Sequence, residues 1–196
     1  MQALSNGIPH RPIGSQRTRP HACLARAGGA VLGVIAIILL VLAVAGFLVW
    51  FFACPCERTP GSYLFGEVVE EPVRDWTFAN EVRLCQIQVA TRPLPHAINL
   101  NCMATDDGEL YLSCAQCDGK RWSTAALARP EARLRLDDRV YPVTLTRITD
   151  SDLKDRAWAA RIKKIHALRG GALDDPPDTP RPDDDAWWSF HVESAG

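Results

Sequence analysis

The sequence predicts a mainly β protein with some α structure: a single transmembrane helix, then a small antiparallel β-barrel with two or so flanking helices. Three observations predict it. One stretch of the chain is apolar without interruption by charge. Beyond it, several short segments alternate apolar and polar residues with period two, separated by turn residues. Two further segments carry helical spacing with recognisable stops.

Residues 1–28 form a tail rich in Arg, Pro, Gly and Ser, with four Arg and no acid. This composition reads as a disordered basic cytoplasmic tail. Cys23 near its end is a site for acylation or an unmodified thiol. Residues 29–53 read as the membrane span. From 30 to 53 there is no charged or strongly polar side chain, and only Gly33 and Gly46 interrupt the apolar run. At ~1.5 Å per residue such a helix reaches roughly 36 Å, enough for a hydrocarbon core of about 30 Å. A buried helix of a soluble protein would show a polar stripe, and none is present.

The Arg-rich flank places the N-terminus in the cytoplasm and the rest of the chain periplasmic or otherwise extracytoplasmic, in a single-pass inner (plasma) membrane protein. Trp50, Phe51 and Phe52 stand where an interfacial aromatic belt lies. Two alternatives fit the residues less well. A cleavable signal peptide has a shorter apolar region. Lipidation of Cys54 would suit Ala53-Cys54, but Phe51 matches poorly and the apolar run is too long.

The whole chain carries 22 Lys+Arg against 23 Asp+Glu, a net charge of -1, which excludes a generally basic nucleic-acid binder. Setting the tail aside leaves 18 basic and 23 acidic groups, and six of those acids fall in one Pro-rich stretch, 174–185. That stretch lacks the spacing of a calcium loop and reads as a solvated spacer.

Residues 54–73 are expected to be a linker with a first strand at 62–69, and 74–196 the barrel domain. Strands are expected at 81–91, 97–104 and 109–113. In the first, Cys85, Ile87 and Val89 share a face; in the second, Ile98, Leu100 and Cys102 oppose Asn99 and Asn101; in the third, Leu110 and Leu112 point inward. Pro93 and Pro95 mark a loop, and Asp107-Gly108 a tight hairpin, so the three strands form a meander. A short helix is expected at 123–129, ending before Pro130. Strands 131–136 and 139–146 make a second hairpin around Asp137-Asp138. A longer helix follows, capped by Thr149 with Asp152 completing a capping box and stopped by Gly170-Gly171. Its inward face is Leu153, Ala157, Ala160, Ile165 and Leu168. Its basic face (Arg156, Arg161, Lys163, Lys164, Arg169) is expected to be solvated, with lipid head groups as an alternative contact. The last strand is 187–193.

The runs His96-Ala97-Ile98, Asp107-Gly108-Glu109-Leu110-Tyr111-Leu112, Gly119-Lys120-Arg121-Trp122 and Ala128-Arg129-Pro130-Glu131-Ala132-Arg133-Leu134-Arg135-Leu136 resemble the flavin-binding split β-barrel superfamily. That superfamily includes pyridoxamine-phosphate-oxidase-like proteins and the deazaflavin-dependent nitroreductase group. The closing run from Trp187 to Glu193 is similar to that group's last strand. The likeness covers roughly 74–194. It implies a split barrel, a homodimer with the cofactor at the subunit interface, and FMN or a related flavin or deazaflavin as cofactor.

It also implies a phosphate grip at Lys120, Arg121 and Ser123, with Ser113 beside them, a packing or ring contact from Trp122, and Asn99 and Asn101 flanking the ring. Independently, cations, hydroxyls and free N–H groups at a helix start make an anion site, although a solvated basic turn with Trp122 in the core fits the same residues. His96 lacks a Ser or Cys partner that would form a triad. Two functions compete: a membrane-anchored flavin- or deazaflavin-binding oxidoreductase, and a cofactor-free split barrel acting as a structural or partner-binding module of the cell envelope. Haem binding through His96 or His191 is a third.

Seven Cys is a high count for a domain of this size. Cys114-Ala-Gln-Cys117 departs from the family pattern. It reads as half a zinc site lacking its second half, a redox pair, or a structural disulfide. If the first hairpin is symmetric about Pro93-Leu94, Cys85 faces Cys102, giving either a second disulfide or two core thiols packing as small hydrophobes.

Overall fold

In the computed structural model the structure describes residues 22–56, 58–168, 179–183 and 186–195. The tail 1–21, the Gly170-Gly171 stop and most of the acidic stretch lie outside the described residues. The chain divides into two compact units, Met1–Ala45 and Gly46–Gly196.

The first unit holds most of helix α1, Ala22–Ala53, which begins seven residues before the expected span. Within it, Gly29–Ala53 is long and apolar enough to cross a membrane, and none of its most apolar window is buried.

The second unit is an antiparallel split β-barrel. Its strands are β1 (Glu67–Val68), β2 (Cys85–Val89), β3 (His96–Ala104), β4 (Leu110–Ala115), β5 (Glu131–Leu136), β6 (Arg139–Arg147) and β7 (Trp187–Ser194). Strands β6, β5, β2, β3, β4 and β7 follow one another around the barrel. The long β6 closes it: its first half pairs with β5, while Val143 to Arg147 also pair with β7. Only Glu67 and Val68 of the expected first strand enter the sheet, parallel to Arg139 and Val140. The neighbouring residues are held differently, with Gly61 bridging Ala97 and the Leu64 amide donating to Gln88 Oε1 at 2.7 Å.

Alternation sorts side chains as a barrel requires. Ile87, Val89, Leu112, Leu134, Val143, Leu145, Phe190 and Val192 fill the interior, each 3% exposed or less. Strand β4 is buried on both faces, because Tyr111 turns outward into a second cluster with Met103, Ile148, Ala157 and Ala160. Those two alanines belong to α3 (Ser151–Leu168), and their small side chains let the helix lie close against the sheet. A 3-10 turn, Thr77–Asn80, precedes β2 and has no clear periodic signal in the sequence. Beside it Trp76 is 3% exposed and meets Tyr141 edge-on at 5.2 Å.

Several local expectations are corrected. The cap of α3 is Asp150, whose Oδ1 accepts the Leu153 amide at 3.0 Å; Thr149 lies one residue too early. Leu153 and Leu168 are exposed at 38% and 43%, while Ile162 and Lys164 are buried, so the inward face is rotated from the expected one. The basic face is therefore not uniformly solvated. Lys164 is internal, Arg156 pairs with Asp107 at 2.7 Å, and Lys163 pairs with Asp106. Helix α2 (Arg121–Ala128) starts two residues before the expected 123. Finally, Cys85 is registered opposite Leu100, not Cys102. A two-residue shift leaves every side chain on its face, so alternation cannot detect it.

Candidate functional site: a cation-rimmed cavity

Helix α2 begins in the loop after β4. Gly119 at φ +69° turns the chain, Lys120 is extended, and the helix starts at Arg121. This turn is tied to the loop that joins β2 to β3, because Arg121 Nη2 donates to Thr91 Oγ1 at 2.9 Å. Beside it is a cavity of about 420 Å3, within the usual range for small-ligand sites. Lys120, Arg121 and Trp122 line one side, and His96, Ile98, Asn99 and Leu100 of β3 line another. Arg58, Thr59 and Pro60 complete the wall.

The cavity has three cations and no carboxylate among its described lining residues. Lys120 Nζ donates to the Ala115 carbonyl at 2.7 Å, and Arg121 holds Thr91, so both have partners that leave their charge uncompensated. None of Arg58, Lys120 and Arg121 forms an ion pair among the described residues. Burial, and then the Arg121 charge, lower the His96 pKa and so favour its neutral imidazole. Ile98, Leu100 and Trp122 supply an apolar floor, and Trp122 also meets Phe190 of the core at 5.1 Å. The arrangement suits a ligand with an anionic end and a flat apolar body.

Of the residues singled out in the sequence, the fold brings together Lys120, Arg121, Trp122 and Asn99. Three others lie elsewhere. Ser123 is fully buried, and its Oγ donates to the Cys117 carbonyl at 2.5 Å. Ser113 is 2% exposed in mid-β4, opposite Asn101. Asn101 lines a separate small cleft with Arg83, Arg161 and Lys164. The sequence reading missed Arg58, Thr59 and Pro60, because nothing local to them announces that the chain folds back over β3.

Six cysteines are joined as Cys54–Cys56, Cys85–Cys102 and Cys114–Cys117, with Cα separations of 4.5, 5.8 and 5.6 Å. Among the described residues there is no cluster of His, Cys, Asp or Glu that could hold a metal ion.

Fold and cavity together define a six-stranded antiparallel split barrel with an anion-attracting pocket. No family model and no curated protein matches the chain. Solved structures do align with it at low similarity. One is a NimC/NimA family protein from Clostridium acetobutylicum, 12% identical, covering 58% of this chain and 75% of that one, TM-score 0.39. Another is an FAD-binding protein from Mesorhizobium loti, 14% identical, covering 60% and 85%, TM-score 0.39. A third is HutZ, the heme storage protein from Vibrio cholerae, 12% identical, covering 61% and 86%, TM-score 0.40. At such similarity they assign no ligand to this chain.

Proposed function

We propose that the protein is a membrane-anchored, extracytoplasmic split barrel that binds FMN or a related flavin or deazaflavin and acts as an oxidoreductase, as a homodimer. The observation that carries the ligand is the cavity itself: three cations with no ion pair among the described residues, beside an apolar floor. Lys120 and Arg121 would hold the phosphate, with Arg58 adding a third charge to the lining. Ile98, Leu100 and Trp122 would bound the ring, and Asn99 would offer it polar contacts. A flavin supplies hydride or electron transfer when bound, and the protein supplies position and electrostatics.

The anchor reading rests on α1 and on charge. The four Arg that precede the span favour an N-terminus in the cytoplasm. Three disulfides in one small domain favour an oxidising compartment beyond the membrane.

One observation favours the cofactor-free alternative. The Cys114–Cys117 disulfide closes the loop that leads into α2, and Ser123 faces inward, so fewer groups point at an anion than the sequence suggested. Purification of the intact chain in detergent decides between the two. Visible flavin absorbance, present as isolated or after incubation with FMN or a deazaflavin, is the expected result. A colourless protein that retains neither is the cofactor-free module, and a Soret band would establish haem instead. Chemical cross-linking of the same preparation checks the dimer.

A further inference from the structure

The last turns of α1 and the segment that follows the Cys54–Cys56 disulfide share one aromatic face. Phe51 meets Phe52 at 5.2 Å, Tyr63 at 5.5 Å and Phe65 at 5.8 Å, and Phe52 meets Phe65 at 5.4 Å. Phe52 is 61% exposed and Phe65 42%, so among the described residues nothing covers the outer side of this face. An exposed aromatic patch in a soluble environment is costly and marks an interaction site.

Tyr63 and Phe65 are fixed by the barrel, although their rings meet the helix. Gly61 exchanges two backbone hydrogen bonds with Ala97 of β3, at 2.8 and 3.0 Å. Leu64 is 1% exposed, clusters with Ala97 and Val140, and donates its amide to Gln88. The Phe65 carbonyl accepts from Arg135 Nη1 of β5 at 2.9 Å. The helix is tied to the same segment, because the Trp50 indole N–H donates to the Pro60 carbonyl at 2.9 Å.

We propose that Tyr63 and Phe65 are a lipid contact made by the barrel itself, seated in the headgroup and upper acyl region of the bilayer that holds α1. The patch commits to lipid because Phe51 and Phe52, against which Tyr63 and Phe65 stand, belong to the uncharged apolar run Gly29–Ala53. Aromatic rings are also the side chains that settle at that depth. The barrel is then held against the bilayer surface, and is not suspended from it on a free linker. This inference rests on the anchor reading.

The test uses the intact wild-type chain in phosphatidylcholine vesicles that contain a lipid with a photoreactive diazirine on a shallow acyl carbon. After illumination and digestion, lipid adducts are expected on peptides from both 29–53 and 62–66. Adducts confined to 29–53 overturn the proposal and leave the anchor standing. Adducts on neither peptide overturn the anchor reading, and the proposal with it. As a second measurement, the emission added by Phe65→Trp over wild type should be blue-shifted and quenched at least twofold by brominated acyl chains. Added emission that bromine does not quench counts against the contact.

Discussion

Lys164 Nζ lies 2.7 Å from the carbonyl oxygen of Cys102 and 3.5 Å from that residue's sulfur. The Ala79 carbonyl, also at 2.7 Å, completes the cradle. The described residues around this cleft include Arg83 and Arg161 and no acid. Burial therefore lowers the ammonium's pKa to about 8. Because an exposed Lys titrates near 10.4, the unfolded chain binds more protons between those values, and stability rises with pH there. Denaturant unfolding should show a gain of roughly 1–2 kcal/mol between pH 7.5 and 9.5. Lys164→Met should flatten that slope; a variant with the wild-type slope would assign it to another group. The window stops short of the range in which Tyr111, whose pKa is raised by burial and then by its hydrogen bond to Glu109, would act in the opposite sense.

The cavity cations make a separate prediction. Charge-assisted hydrogen bonds contribute about 1.5–3 kcal/mol, so Lys120→Gln and Arg121→Gln should each weaken FMN binding roughly 10- to 100-fold. Arg129→Gln, on the exposed end of α2, should leave binding unchanged. Isothermal titration on the intact chain measures all three. Equal affinities across the set would remove the phosphate role from this turn.

For the disulfides, alkylation of the unreduced, denatured chain should label Cys23 alone. Labelling at any other cysteine would mean that a bridge had not formed. Cys85–Cys102 spans 17 positions, against 3 and 2 for the other bridges. It therefore constrains the unfolded chain most, and the double variant Cys85→Ala/Cys102→Ala should lose about 3 kcal/mol.

Two glycines should respond for different reasons. A Cβ at Gly61 would run into the carbonyl carbon and oxygen of Cys54 and the nitrogen of Pro55, all of them backbone. Gly61→Ala should cost about 1–3 kcal/mol by overpacking and loosen the segment that carries Pro60, Tyr63 and Phe65. Gly119 has open space around it but sits at φ +69°. Gly119→Ala should cost only about 1 kcal/mol, from backbone strain alone. Thermal unfolding of both variants gives the comparison. Gly61→Ala as mild as Gly119→Ala would show that the close approach to Cys54 can relax.

Much of the barrel was legible because period-two alternation and turn residues are local signals. Strand β5 falls at 131–136 as expected, and β3, β6 and β7 extend the expected ranges by only one residue or so. The site was legible only in part. Lys120 and Arg121 announce an anion through charge, and their neighbour Asn99 comes from the resemblance. The partner of Ser123 was not legible, because a hydroxyl near a helix start is as able to satisfy a buried carbonyl as a ligand, and only the packing around Cys117 turns it to that carbonyl.

The sequence by itself determined the apolar span, the order of strands and helices, the sharp turn at Gly108 and the charge of the α2 turn. Each of these depends on residues within one segment. The tertiary structure alone decided the β2–β3 register, the closure of β6 on β7, the folding of residues 58–65 back onto β3, and the burial of Lys164. Each of these is a contact between distant segments. Its energy comes from surface removed from water on both partners at once, and neither partner's local pattern records the other.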